Sequence, residues 1–186
     1  MADIRTFICF DIPASIREQL AVLQNHLKSC GRGVSWTNPA GIHLTLKFLG
    51  DVPEVKIKDI NIAVKNTVQG LAPLAIKIAG TGAFPNLRRP RVYWVGVHEA
   101  TGQLAECQKQ IDLALEKHGF AREARAFSPH LTLGRVKSLE AVEAISRELA
   151  HKEYEFGEYN ANEIIIMKSD LRPTGAVYTP LFRIKL

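Results

Sequence analysis

The hydrophobic pattern switches repeatedly between two periods along the chain. Ile4 to Ile12 is rich in β-branched and aromatic residues and stops at Pro13. Ile16, Leu20, Leu23 and Leu27 then follow at helical spacing, with Ser15 and Glu18 at the spacing of a capping box and Gly31 as the stop. Val34 to Trp36 and Ile42 to Leu49 read as strands, and Ile57, Ile60 and Val64 mark a second helix ending by Gly70. Leu74 to Ala79 and Arg91 to Val97 are strands around a loop bearing Pro85, Arg88, Arg89 and Pro90. The second half repeats the theme. A helix after Thr101 carries Leu104, Ile111 and Leu115 and is closed by Gly119, His130 to Val136 is a strand, and Ser138 caps a helix presenting Val142, Ile145 and Leu149. Glu163 to Lys168 and Val177 to Ile184 are strands joined by the turn Arg172-Pro173-Thr174-Gly175. Four helices and seven or eight short strands, several with hairpin-length connections, predict an α+β fold with helices packed on largely antiparallel sheet. No low-complexity stretch or linker divides residues 1–186, so one domain is expected.

Composition narrows this picture in two ways. Cys9, Cys30 and Cys107 are odd in number and widely spaced, with no C-x-x-C pair, which suggests neither a disulfide framework nor a zinc knuckle and fits a reducing cytoplasm. The start, Met-Ala-Asp-Ile-Arg-Thr-Phe, lacks a basic segment followed by an apolar core, and no apolar run is long enough to span a bilayer. A soluble, unprocessed cytoplasmic protein with no membrane partner is the expectation. Twenty-four Lys+Arg against nineteen Asp+Glu leave a net charge of +5, a lean toward polyanionic partners such as nucleic acid.

One repeat stands out. His43-Leu44-Thr45-Leu46 recurs as His130-Leu131-Thr132-Leu133, whereas chance at these residue frequencies would place that tetrapeptide at roughly one position in 60,000. Strand side chains alternate, so His43 and Thr45 share one face about 7 Å apart while Leu44 and Leu46 share the other. Each copy therefore turns a polar pair outward and an apolar pair to the core. An approximate two-fold axis would bring the two polar faces together across a cleft.

Two imidazoles around one small volume suit acid–base chemistry at neutral pH, one accepting a proton while the other gives one. Hydroxyls two residues away can donate to anionic oxygens, and in-line displacement at a phosphodiester needs this set. Zinc would require a third ligand, and neither motif strand carries a Cys or a carboxylate, so no metal or cofactor is expected. His26, His98, His118 and His151 lack partners at motif spacing and read as surface or helix-end residues.

The chain resembles the two-histidine (2H) phosphoesterases, in particular the RNA 2′,3′-cyclic phosphodiesterase branch, also called 2′-5′ RNA ligases. The resemblance rests on Phe7 to Phe10, His43 to Gly50 (HLTLKFLG), Pro90 to Gly96, Ser128 to Arg135 (SPHLTLGR) and Ser169 to Tyr178 (SDLRPTGAVY). It implies a bilobal α+β fold with two largely antiparallel sheets flanked by helices around a central cleft. It also implies metal-independent opening of a 2′,3′-cyclic phosphate to a 2′-phosphate, with weak reverse 2′-5′ ligation. By the same resemblance His43 is the proton donor to the leaving 3′ oxygen, His130 the proton acceptor from water, and Thr45, Thr132 and Arg135 bind the phosphate.

Parity complicates Arg135, because an odd offset in a regular strand puts it on the face opposite His130; a bulge at Gly134 would turn it back. Lys47 shares the parity of His43 and so points to the cleft as a candidate RNA contact. Arg91, with Arg88 and Arg89, forms a basic loop that would attract an RNA backbone. Trp36, Phe48, Phe84, Tyr93 and Trp94 are the candidates for base stacking. The partner expected is RNA ending in a 2′,3′-cyclic phosphate, tRNA-derived ends among them, acted on by a monomer. The alternatives are a phosphodiesterase for a small cyclic or 2′-5′ linked nucleotide, and a non-catalytic RNA-end-binding module.

Overall fold

The computed structural model describes residues 3–140, 142–173 and 175–186; Met1, Ala2 and Thr174, which fall in segments read above, lie outside the described residues. Nine strands, β1 (Asp3–Phe10), β2 (Val34–Trp36), β3 (Leu44–Pro53), β4 (Leu74–Phe84), β5 (Val92–His98), β6 (His130–Val136), β7 (Glu155–Ala161), β8 (Glu163–Arg172) and β9 (Gly175–Lys185), alternate with four α-helices. These are α1 (Ala14–Cys30), α2 (Ile57–Val68), α3 (Gln103–Glu116) and α4 (Glu143–His151). The helical stripes read from the sequence are the faces that become buried: Ile16, Leu20, Leu23 and Leu27 on α1, and Leu104, Ile111 and Leu115 on α3. Caps differ from expectation. Helix α1 starts at Ala14 behind Pro13, whose carbonyl accepts the Arg17 N–H at 3.1 Å, so Ser15 falls inside the first turn and forms no cap. Ser138 accepts the Glu140 N–H in a turn ahead of α4 and does not cap it.

The strands form two half-sheets, β3-β1-β8-β9 and β7-β4-β5-β6, with β2 along the end of β6. They are linked by one ladder pair, Leu44 with Leu131, so the expected two sheets are joined into one curled antiparallel sheet. Helices α2 and α3 pack together on the β3 side, while α1 and α4 pack together on β7 and β4. The chain thus crosses between halves: β1 belongs to one and the helix that follows it to the other. No helix of the described residues is long and apolar enough to cross a membrane.

Both motif strands carry the same irregularity. On β3, Thr45 pairs with Cys9 and Lys47 with Ile8, so one residue of β3 goes unmatched. On β6, Thr132 pairs with Trp94 and Gly134 with Tyr93, leaving Leu133 over in the same way. Each is a one-residue bulge at the same offset from its histidine, and each reverses the alternation beyond it. The fifth residue after each histidine, Phe48 or Arg135, therefore returns to the face of the histidine, and the fourth, Lys47 or Gly134, turns to the core.

Candidate active site

The Leu44–Leu131 pair sets the two motifs side by side and antiparallel, with both leucines buried. In that register His43 lies beside Thr132 and Thr45 beside His130, and the two histidines occupy one diagonal, roughly 8 Å apart at Cα from standard strand spacings. Each imidazole is oriented by its own chain. His43 Nδ1 donates to the Gly41 carbonyl at 2.7 Å, and His130 Nδ1 donates to the Ser128 carbonyl, also at 2.7 Å. A carbonyl oxygen can only accept, so Nδ1 carries hydrogen in both rings and Nε2 is the atom left for a ligand. The repeat thus extends beyond residue type to tautomer.

Their surroundings differ. His43 stacks on Phe7, with centroids 4.5 Å apart, and meets Tyr178 edge-on at 5.1 Å; Phe7 belongs to a small buried cluster with Cys9 and Ile165. Burial pushes the His43 pKa below its ordinary value, opposed by the hydrogen bond to Gly41 and by the Asp11 carboxylate. His130 is met edge-on by Phe84 at 4.9 Å, and Phe84 packs on Trp94.

The bulges decide the other candidates. Arg135 is exposed on the cleft side and shares a cavity of about 350 Å³ with Arg5, Phe7, Phe48 and Tyr178, as a bulge at Gly134 requires. A Cβ on Gly134 would lie 2.7 Å from Val34 Cγ1 and 3.0 Å from the Ser35 carbonyl, so only glycine fits beneath β2 there.

Lys47 is a correction. Its side chain is 2% exposed on the core face, where Nζ donates to Asp112 of α3 and, at 2.7 Å, to the Ala121 carbonyl. The bulge between Thr45 and Lys47 inverts the parity that pointed it to the cleft, and Phe48, 57% exposed, occupies the outward place. Asp112 also accepts the Glu123 N–H at 3.1 Å.

Arg91 is tied down by its backbone, donating to the Phe84 carbonyl and accepting from Val136 N–H. Its side chain is exposed and lines none of the cavities that hold His43 or Arg135. Arg88 and Arg89 are exposed in a turn closed by Asn86 Oδ1. Among the aromatic candidates Tyr93 is fully buried and bonded to Ser146, Phe84 and Trp94 stand beside His130, and exposed Phe48 and half-buried Trp36 each line a cavity with Arg135. Tyr178, against His43, lay within a resembling segment but had no motif of its own to single it out. Among the described residues no three His, Cys, Asp or Glu side chains converge to hold a cation.

A family model for LigT-like phosphoesterases matches the chain twice, over residues 10–94 and 95–178, one motif in each match. An RNA 2′,3′-cyclic phosphodiesterase of Methanothermobacter thermautotrophicus is 35% identical over 96% of both chains, and one of Methanocaldococcus jannaschii is 37% identical over 94% of this chain and 96% of its own. Among solved structures, a Thermus thermophilus protein superposes with a TM-score of 0.81 at 27% identity, covering 98% of this chain and 97% of the other. Escherichia coli LigT complexed with 3′-AMP superposes at 0.78 with 25% identity, covering 99% and 98%. With two matches spanning nearly all its residues, the chain belongs to the LigT-like phosphoesterase family.

Proposed function

We propose that the protein hydrolyses RNA 2′,3′-cyclic phosphodiester termini to 2′-phosphomonoesters. The observation that carries this reading is the pair of histidines held in the same tautomer by equivalent carbonyls, each with Nε2 free. The relatives named as RNA 2′,3′-cyclic phosphodiesterases support it over nearly the full length. His130 Nε2 takes a proton from water as the water oxygen bonds to phosphorus. The P–O3′ bond breaks in line, and His43, protonated at Nε2, gives its proton to O3′. Thr45, Thr132 and Arg135 donate to the non-bridging oxygens as charge builds on them. The bound phosphate anion offsets the effect of burial on His43 and favours its charged form. Phe48 offers a face on which the terminal base stacks, and the Arg88, Arg89 and Arg91 rim attracts the remaining backbone.

The chemistry on this reading moves only protons between imidazoles and substrate, so no metal or cofactor takes part. A 5′-hydroxyl in place of water gives weak 2′-5′ ligation with the same histidine roles, His130 taking the hydroxyl proton and His43 protonating O3′ as the P–O3′ bond breaks; the roles reverse when the 2′-5′ linkage is cleaved back. Residues 3–186 supply every group named, so one chain acts as a single catalytic domain and a monomer suffices. The substrates are cyclic-ended RNAs of the cytoplasm, tRNA-derived ends included.

The test is incubation with a cyclic-ended oligonucleotide in excess chelator, with the product terminus identified. A 2′-phosphate is expected, and His43→Ala and His130→Ala should each slow turnover about 10²–10⁴-fold. Absence of turnover, or turnover indifferent to both substitutions, overturns the reading. Tight binding without cleavage would instead make the protein an RNA-end-binding module.

A further inference from the structure

Three cavities of about 360, 330 and 350 Å³ surround the His43 side of the cleft, and Tyr178 is a wall of all three. The first also contains His43, and the other two contain Arg135. Tyr178 is therefore the partition between the imidazole that donates the proton and the guanidinium beside the phosphate. Its placement comes from the β8–β9 hairpin, where it pairs with Ser169. From there the ring meets His43 edge-on at 5.1 Å and 90°, and meets Phe7 at 5.1 Å and 79°. A Cβ on Gly41 would stand 3.0 Å from Tyr178 Cε2. The glycine thus lets the phenol ring rest against the same turn whose carbonyl holds His43 Nδ1.

The ring has neighbours; the hydroxyl does not. Tyr93 bonds Ser146 and the Val142 carbonyl, and Tyr154 bonds Glu148, whereas among the described residues the Tyr159 and Tyr178 hydroxyls have no hydrogen-bond partner; of these two, Tyr178 lines cavities with Arg135. Burial raises its pKa, and the charge acting on it most strongly is Arg135, so the phenol stays protonated at neutral pH beside a group made only of donors. A guanidinium can donate to the phenol oxygen but offers no acceptor for the phenol O–H. An anionic oxygen between them satisfies both.

We infer that the Tyr178 hydroxyl donates to the phosphate oxygen held by Arg135, and that its ring fixes the His43 imidazole against Phe7. The inference rests on the hydrolase reading above and adds a substrate contact from the hairpin to those of the two motifs. It also divides one side chain into two separable roles, a hydrogen bond to the substrate and a packing wall for the acid.

Tyr178→Phe removes the first role and keeps the second. It should leave the melting temperature and the pH dependence of turnover unchanged while lowering kcat/KM for a 2′,3′-cyclic mononucleotide and weakening binding of 2′-AMP, each about ten- to hundredfold, the range for a hydrogen bond to a charged group. Tyr178→Ala removes both roles, and should in addition move the alkaline limb of the kcat/KM profile upward as His43 gains solvent. Wild-type kcat/KM together with wild-type 2′-AMP affinity in Tyr178→Phe overturns the proposed contact. Should the wild-type chain turn over no cyclic phosphate, the hydrolase reading falls, and the 2′-AMP titration of wild type against Tyr178→Phe still decides the contact.

Discussion

Replacing Lys47 by methionine tests the inversion of the first motif strand. Methionine keeps the length and the buried stem but removes the ammonium, leaving the Asp112 carboxylate, 8% exposed, without its main counter-charge. Breaking one side of a buried pair costs about 3–5 kcal/mol. Asp112 retains the Glu123 N–H at 3.1 Å and Arg122 Nε at 4.0 Å, so the lower end applies, about 3 kcal/mol. For a chain of this size that lowers the melting temperature by about 6–12 °C. The double change Lys47→Met/Asp112→Leu removes both charges and should return to within about 1 kcal/mol of wild type, since a well-packed apolar pair substitutes for a buried ion pair. Urea unfolding followed by circular dichroism reads both, and the double-mutant cycle isolates the coupling. A lysine facing the cleft would behave oppositely, with stability unchanged and RNA binding weaker with a shallower salt dependence. That pattern, or a double variant less stable than either single one, refutes the buried assignment.

Other outcomes follow from the same geometry. Because burial lowers the His43 pKa from 6.5 and the acid must be protonated, kcat/KM should begin to fall below the ordinary histidine range as pH rises; bound phosphate raises that pKa, so the limb in kcat should lie at higher pH, and coincident limbs would contradict the assignment of His43 as the acid. Gly134→Ala forces a methyl into Val34 and the Ser35 carbonyl, which should cost about 1–3 kcal/mol and lower kcat/KM by displacing Arg135, seen by calorimetry and kinetics. Tyr93→Phe removes the bonds to Ser146 and Val142 and should cost about 1 kcal/mol with kcat/KM unaltered, a control for damage to the second half-sheet. Added salt should weaken binding of cyclic-ended RNA more than turnover of a cyclic mononucleotide, and equal sensitivity would separate the net charge of +5 from substrate capture.

The motif residues were legible because the repeated tetrapeptide keeps its alternation of faces through its fourth position, the bulge residue after which the alternation reverses. Helical stripes were legible for the same local reason. The bulges were less so. An extra residue leaves no compositional trace unless a glycine marks it, as Gly134 does in β6; in β3 the equivalent place holds Lys47, whose parity with His43 pointed to the cleft while its partner Asp112 lay 65 positions away. Strand β7 was missed because Glu155-Phe156-Gly157-Glu158-Tyr159-Asn160-Ala161 is an edge segment with charges and a glycine, held by pairing to β4. Tyr178 belongs to the site through tertiary placement alone, since nothing in its own hairpin spacing points at His43.

The crossing of the chain between half-sheets has a kinetic consequence. Phe7, on which His43 stacks, lies on β1 between β3 and β8, and β1 pairs Thr6 with Lys168. A chain emerging from the ribosome therefore carries His43 early, yet the floor beneath it stays open until nearly the last strands arrive. Neither motif half holds its own complement of helices and strands, so cutting between residues 94 and 95, where the two family matches meet, separates sequence repeats without separating folding units. Long-range pairing of this kind makes folding slow relative to a helical bundle of equal length. The two motif histidines share a face only once strands from both ends of the chain have paired, so a truncated or nascent chain lacks the assembled site.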